Sequence, residues 1–103
     1  MKAVVKRVGL PACIEEVENK LESLWEIVGG YIEVVRLSYD TKVLMIVNEE
    51  GKFTRQPNIV YHELNDVIYG DVLVVGQKGD DFASLTNVQA AQAILWLDMR
   101  SIN

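Results

Sequence analysis

His62 is the only histidine in the 103-residue chain, and it stands in the triplet Tyr61-His62-Glu63. An imidazole titrates near neutral pH, so a histidine beside a carboxylate can shuttle a proton, and a hydrolase-type reaction through His62 and Glu63 is one reading. Nothing else in the sequence completes such a site. One histidine and one cysteine leave only carboxylates as further ligands, so neither a zinc centre nor any other metal or cofactor is expected. Cys13 has no sequence neighbour that would lower its thiol pKa and reads as a small apolar strand residue. Ser84 lacks the Gly-x-Ser-x-Gly elbow of a nucleophile and is expected to shape the turn before the last helix. Gly29-Gly30 and the Gly76–Gly79 stretch lack the spacing of a phosphate loop or dinucleotide fingerprint. Asp80-Asp81 is far short of a calcium loop. The polar residues left for binding are Asn58, Tyr61 and His62, all inside an irregular stretch. Trp96, with Tyr31, is the candidate for a protein contact, because tryptophan buries a large area while keeping one donor.

The elements that must position these residues are bounded by composition. Fifteen acidic and ten basic side chains give a formal net charge of -5, and half the residues are hydrophobic. Such a chain can bury a core, and its length suits one domain over residues 1–103. The scattered basic residues form no phosphate-tracking cluster, so no nucleic-acid partner is expected. The run Glu15, Glu16, Glu18, Glu22 and Glu26 is too loose for a DNA mimic. A single cysteine excludes an internal disulfide. No wholly apolar run exceeds five residues, as in Val43–Val47, so no membrane helix is expected. The charged start Met1-Lys2-Ala3-Val4-Val5-Lys6-Arg7 is unlike a signal peptide, and a cytoplasmic location is expected.

Valine-rich residues 2–8 read as a strand, Gly9-Leu10-Pro11 as a turn, and residues 12–18 as an edge strand bearing carboxylates. Asn19 and Glu22 have the spacing of a capping box. Leu21, Leu24, Trp25 and Val28 then form a helical stripe that Gly29 ends in a left-handed conformation. Residues 31–37 and 42–47 read as a hairpin, and Asn48-Glu49-Glu50-Gly51 as a turn with Gly51 available for a positive φ. Residues 53–70 show no clear period. Residues 71–76 read as another strand. Thr86 and Gln89 repeat the capping signature before a last helix. Its buried stripe is expected to be Val88, Ala91, Leu95, Met99 and Ile102, with Trp96 turned away from it.

The strands Val43–Val47 and Val72–Val75 are apolar at every position, which places them centrally with both faces covered. The expected fold is α+β, a small mixed or antiparallel sheet of about five strands with two helices. Two helices do not evidently cover both faces. Either residues 53–70 fold over the second face or another chain does, and a homodimer would supply that cover.

In this order the signals resemble the domain-of-unknown-function family numbered 3846, small proteins of bacteria, phages and mobile elements. The matching stretches run from Val28-Gly29-Gly30-Tyr31-Ile32-Glu33-Val34-Val35 through Asn48-Glu49-Glu50-Gly51-Lys52 and Pro57-Asn58. They continue with Gly70-Asp71-Val72-Leu73-Val74-Val75-Gly76 and Gly79-Asp80-Asp81-Phe82-Ala83-Ser84-Leu85-Thr86. The resemblance covers about residues 19–89 and implies an accessory or host-modulating role without catalytic residues to carry over. The aromatic final helix, with Leu95-Trp96-Leu97, departs from the family pattern. The expected function is a non-enzymatic protein-binding module acting on a protein partner or on itself. The alternative is a small-molecule or nucleotide-binding, sequestering protein.

Overall fold

Two apolar runs with no polar face to turn to water decide the sheet. In the computed structural model, which describes residues 1–102, they become β4 (Val43–Asn48) and β7 (Val72–Lys78), paired antiparallel at the centre. Around them stand β1 (Lys2–Lys6), β2 (Cys13–Glu16), β3 (Ile32–Arg36) and β8 (Asp81–Ala83). The order is β2-β1-β7-β4-β3, with β8 pairing β7, and every pairing is antiparallel. The three-residue β8 is an addition to the expected strands. The class is α+β, as the sequence implied.

Register sorts the side chains. Val4, Val74 and Met45 lie opposite one another across three strands, as do Val5, Leu73 and Ile46 one position along. Neighbouring positions point to opposite faces, and these two sets fall in separate buried clusters. The second set is covered by α1 (Leu21–Val28), whose Leu24 and Val28 pack against Val5, Ile46 and Leu73. Gly29 ends α1 at φ 80°, as expected. The start of α1 differs. Lys20 holds the N-cap position without a side-chain bond, and Asn19 instead donates to the Phe82 carbonyl at 3.0 Å. Tying the loop to the β8 strand replaces the expected capping box.

The other face is closed by residues from two distant parts of the chain. After a single helical turn, α2 (Gly51–Thr54), the stretch that showed no period forms a hairpin of β5 (Pro57–Tyr61) and β6 (Asp66–Tyr69). A 3-10 turn over His62–Leu64 joins them, ending at Asn65 in the left-handed region at φ 50°. Ile59, Tyr61 and Ile68 of this hairpin enter one cluster with Ala90, Ala93, Trp96 and Leu97 of α3 (Asn87–Met99). Thus the cover that was open to either the 53–70 stretch or another chain comes from within. Gly51 is needed for a reason other than backbone sign: a Cβ there would stand 2.6 Å from the Tyr69 carbonyl oxygen. Among the described residues no helix is long and apolar enough to cross a membrane.

The hairpin is clipped to the sheet by a buried amide. Asn58 donates through Nδ2 to the carbonyls of Lys6 and Gly70, each at 2.8 Å, and accepts from Lys6 Nζ at 2.9 Å. The Lys6 ammonium also donates to the Arg7 carbonyl. Burial lowers the Lys6 pKa, and the charges of Asp98 and Asp71 oppose that shift. The main chain after α3 completes the clip: Val60 donates to Arg100 and Ile102 to Asn58. Replacing Asn58 by alanine strands two carbonyls in the interior and leaves the Lys6 ammonium with its bond to the Arg7 carbonyl alone. At about 1–3 kcal/mol per orphaned buried group, Asn58→Ala is expected to lower unfolding free energy by roughly 3 kcal/mol or more in urea titration. A change within about 0.5 kcal/mol, the size of an ordinary surface substitution, would show that the clip carries little.

Candidate functional site

Helix α3 is well begun. Thr86 accepts from the Gln89 amide at 3.1 Å while the Gln89 side chain accepts from the Thr86 amide at 2.9 Å, completing the expected capping box. Its rotation differs from the expectation. The residues facing the sheet are Ala90, Ala93, Trp96 and Leu97, and Trp96 is only 7 % exposed. Those expected inside lie outside, with Val88 67 %, Leu95 63 % and Met99 73 % exposed. The physical reason is closeness of approach: two alanines bring the helix axis near β1, and the indole fills the remaining space against Tyr61. The Trp96 and Tyr61 rings meet edge to face with centroids 5.0 Å apart. Trp96 is therefore an internal anchor, which corrects its assignment to the outer surface.

What the rotation leaves outside is unusual for a surface helix. No charged residue occurs from Asn87 to Leu97. A helix bordering water ordinarily carries charge on its outer face, and one without a polar face is ordinarily covered all round. Beside the exposed row lies a depression of about 340 Å³ lined by Tyr39, Gln92, Leu95, Trp96, Met99 and Arg100. Tyr39 leans on Trp96 with ring centroids 5.9 Å apart, and the Arg100 guanidinium carbon sits 4.2 Å from the Trp96 ring centroid. Arg100 is steadied by Glu63 at 3.2 Å. Trp96 Nε1 and Arg100 Nε are buried and find no acceptor among the described residues.

The sequence model of a family described as a domain of unknown function, DUF3846, matches residues 1–98. The chain belongs to this family. No curated protein and no solved structure matches it. The DUF3846 match runs further than the motifs read from the sequence and takes in β1 and nearly all of α3. The apolar outer row is therefore part of the family domain except for Met99 at its end.

Other residues singled out in the sequence are dispersed in the DUF3846 fold. Asn58 is fully buried, and its side chain is engaged by the three bonds described above. Tyr61 is also buried, and its hydroxyl donates to the Arg36 carbonyl while accepting from the Ser38 amide, both at 3.1 Å. Neither is open to a ligand in this arrangement. His62 is exposed and borders a shallow polar hollow with Lys52, Asn65, Asp66 and Tyr69. Glu63, its neighbour, turns to Arg100 and Ser38 instead of the imidazole. Tyr31, between α1 and β3, is exposed and meets Trp25 of α1 edge to face, 5.4 Å between centroids, away from Trp96 on α3. Cys13 is exposed, yet partial desolvation, followed by the Glu15 hydrogen bond, raises its pKa, away from a reactive thiolate. Among the described residues no three His, Cys, Asp or Glu side chains gather to hold a metal.

The sequence reading missed Val88, Leu95, Met99, Tyr39 and Gln92 as surface residues. The absence of charge from Asn87 to Leu97 was the available signal. Tyr39 offers a probe of this surface. Partial burial and, secondarily, the Asp40 charge push its pKa up to about 12 from an ordinary value of 10.0. A folded pKa above the unfolded one favours the neutral phenol, so its stabilising contribution is whole below pH 10 and fades toward pH 12. Tyrosinate absorbance of the native protein should show one phenol titrating late, and Tyr39→Phe should remove that component. An unchanged titration in the variant would place the shift elsewhere.

Proposed function

We propose that this chain is a protein-binding module whose contact face is the outer side of α3. The observation that supports the reading is the uncharged row of Val88, Leu95 and Met99, each exposed by more than three-fifths on a helix already anchored by its other side. Exposed apolar surface gains free energy when covered, at about 25 cal/mol per Å², and contiguous patches of this kind mark interaction sites. The depression under Tyr39 adds a socket in which a partner's apolar side chain can be desolvated, the arrangement typical of binding hot spots. A rim is also present: Asp98 and Arg100 bound the row at its end, as charged residues bound apolar interface centres. An accessory role exerted by occupying another protein suits the phage and mobile-element setting that the family resemblance implies.

The reading is tested with Leu95→Glu. Its side chain is exposed, so the fold should keep its circular dichroism and melting temperature. Proteins captured from the native host by the wild type should be lost from the variant. If the same proteins are retained at the same level, the α3 face is not the contact surface. Substitution at His62, outside the face, should leave capture unchanged.

A further inference from the structure

We infer that the occupant of the α3 face is a second copy of this chain, with the two α3 helices antiparallel across a two-fold axis. The inference rests on the docking reading above and adds the partner to it.

The spacing of the outer row is the first reason. Val88, Gln92, Leu95 and Met99 are separated by four, three and four residues, and Gln92 and Met99 both line the depression. Spacings of three and four put a row along one side of a helix, as in a coiled-coil seam. This row reads the same in either direction. An antiparallel copy therefore lays Val88 beside the partner's Met99 and Gln92 beside the partner's Leu95, then repeats both contacts beyond the axis. Such a self-complementary patch is what a two-fold interface requires. In this register the partner's Val88 falls at the depression bordered by Tyr39, Leu95 and Met99.

Charge gives the second reason. Lys2 reaches the beginning of α3, where its Nζ bonds Asn87 Oδ1. Asp98 stands exposed at the other end, accepting from the Ala12 amide at 2.8 Å. Antiparallel pairing brings each Asp98 toward the other copy's Lys2 and toward the positive end of its helix, while Arg100 at the same end has its charge met by Glu63 of its own chain. Parallel pairing would set like against like. Between these ends the row is uncharged, so no desolvated charge opposes association.

The extent of the face sets the strength. Helix α3 has thirteen residues, about 20 Å at 1.5 Å per residue. Ile14, on the same face of the sheet as Val4, is a further exposed apolar residue, on the edge strand. One face of a helix this short is expected to bury less than the roughly 800 Å² per partner of a standard interface, so a weak dimer is expected, dissociating on the order of 10 μM.

Sedimentation velocity of the full chain across concentrations reads the equilibrium directly. The wild type should pass from monomer to dimer, and Leu95→Glu should weaken association by about tenfold or more, with melting unchanged. Gln92→Leu should tighten it, because a polar residue in an apolar seam fixes register at a cost in stability. Register is read by mixing. Val88→Lys and Met99→Glu each weaken the homodimer, and a mixture of the two should recover association. Recovery supports the antiparallel pairing. A wild type that stays monomeric at about 1 mM, some hundredfold above that constant, overturns the inference, even if a host protein is captured through α3 and the docking reading stands. A dimer indifferent to Leu95→Glu, or a mixture without recovery, overturns it as well.

Discussion

Strands β4 and β7 have no side to offer to water. In most small antiparallel sheets one face is polar, and a single layer of helix suffices. Here every residue from Val43 to Val47 and from Val72 to Val75 is buried, so the fold must be a three-layer arrangement with, among the described residues, only two helices longer than one turn. The β5–β6 hairpin solves this by acting as the missing part of a layer. Its own contacts could not hold it: a two-stranded ribbon is marginal alone. The Asn58 amide, the Lys6 ammonium and the main chain beyond α3 fasten it down, and α3 in turn leans on Tyr61. Hairpin and helix depend on each other.

That dependence explains the division of labour within α3. The inner side uses Ala90 and Ala93 where larger side chains would hold the helix off the sheet, and gives the remaining volume to one indole. Trp96 thus belongs to the core, while its neighbour Leu95 belongs to the surface. The larger aliphatic residues are displaced outward by the closeness of packing within. A helix apolar on two sides is the result, and the proposed binding function rests on the outer side.

Much of the fold was legible because its signals were local. Runs without polar residues located β4 and β7, Gly29 marked the end of α1, and Thr86 with Gln89 marked the beginning of α3. The hairpin of residues 57–69 was harder to see. Its β5 strand opens with Pro57 and buries a polar Asn58, whose burial is favourable only because Lys6 and Gly70 supply partners from elsewhere. Its connection turns on Asn65, a non-glycine residue in the left-handed region, and no period announces either strand. The rotation of α3 was illegible for another reason. Where apolar residues occur nearly all round a helix, spacing fixes the helix but not its phase, and phase is decided by what fits beneath. The surface role assigned to Trp96 failed on that point, and with it the reading of Leu95 and Met99 as core.

The position of β7 has a bearing on how the chain reaches this state. It is the strand that joins two halves: β1 with β2 on one side, β4 with β3 on the other. Both halves are hairpins of short sequence separation and can close as soon as they are made, in microseconds for an isolated hairpin. Until residues 72–78 leave the ribosome each is a marginal ribbon that opens and closes, with its apolar edge unpaired. At synthesis rates of roughly 5–20 residues per second, that interval lasts seconds, far longer than hairpin closure. During it the nascent chain carries two open strand edges of the kind that pair with neighbours. Insertion of β7 is thus the step at which a growing chain is either completed or lost to aggregation.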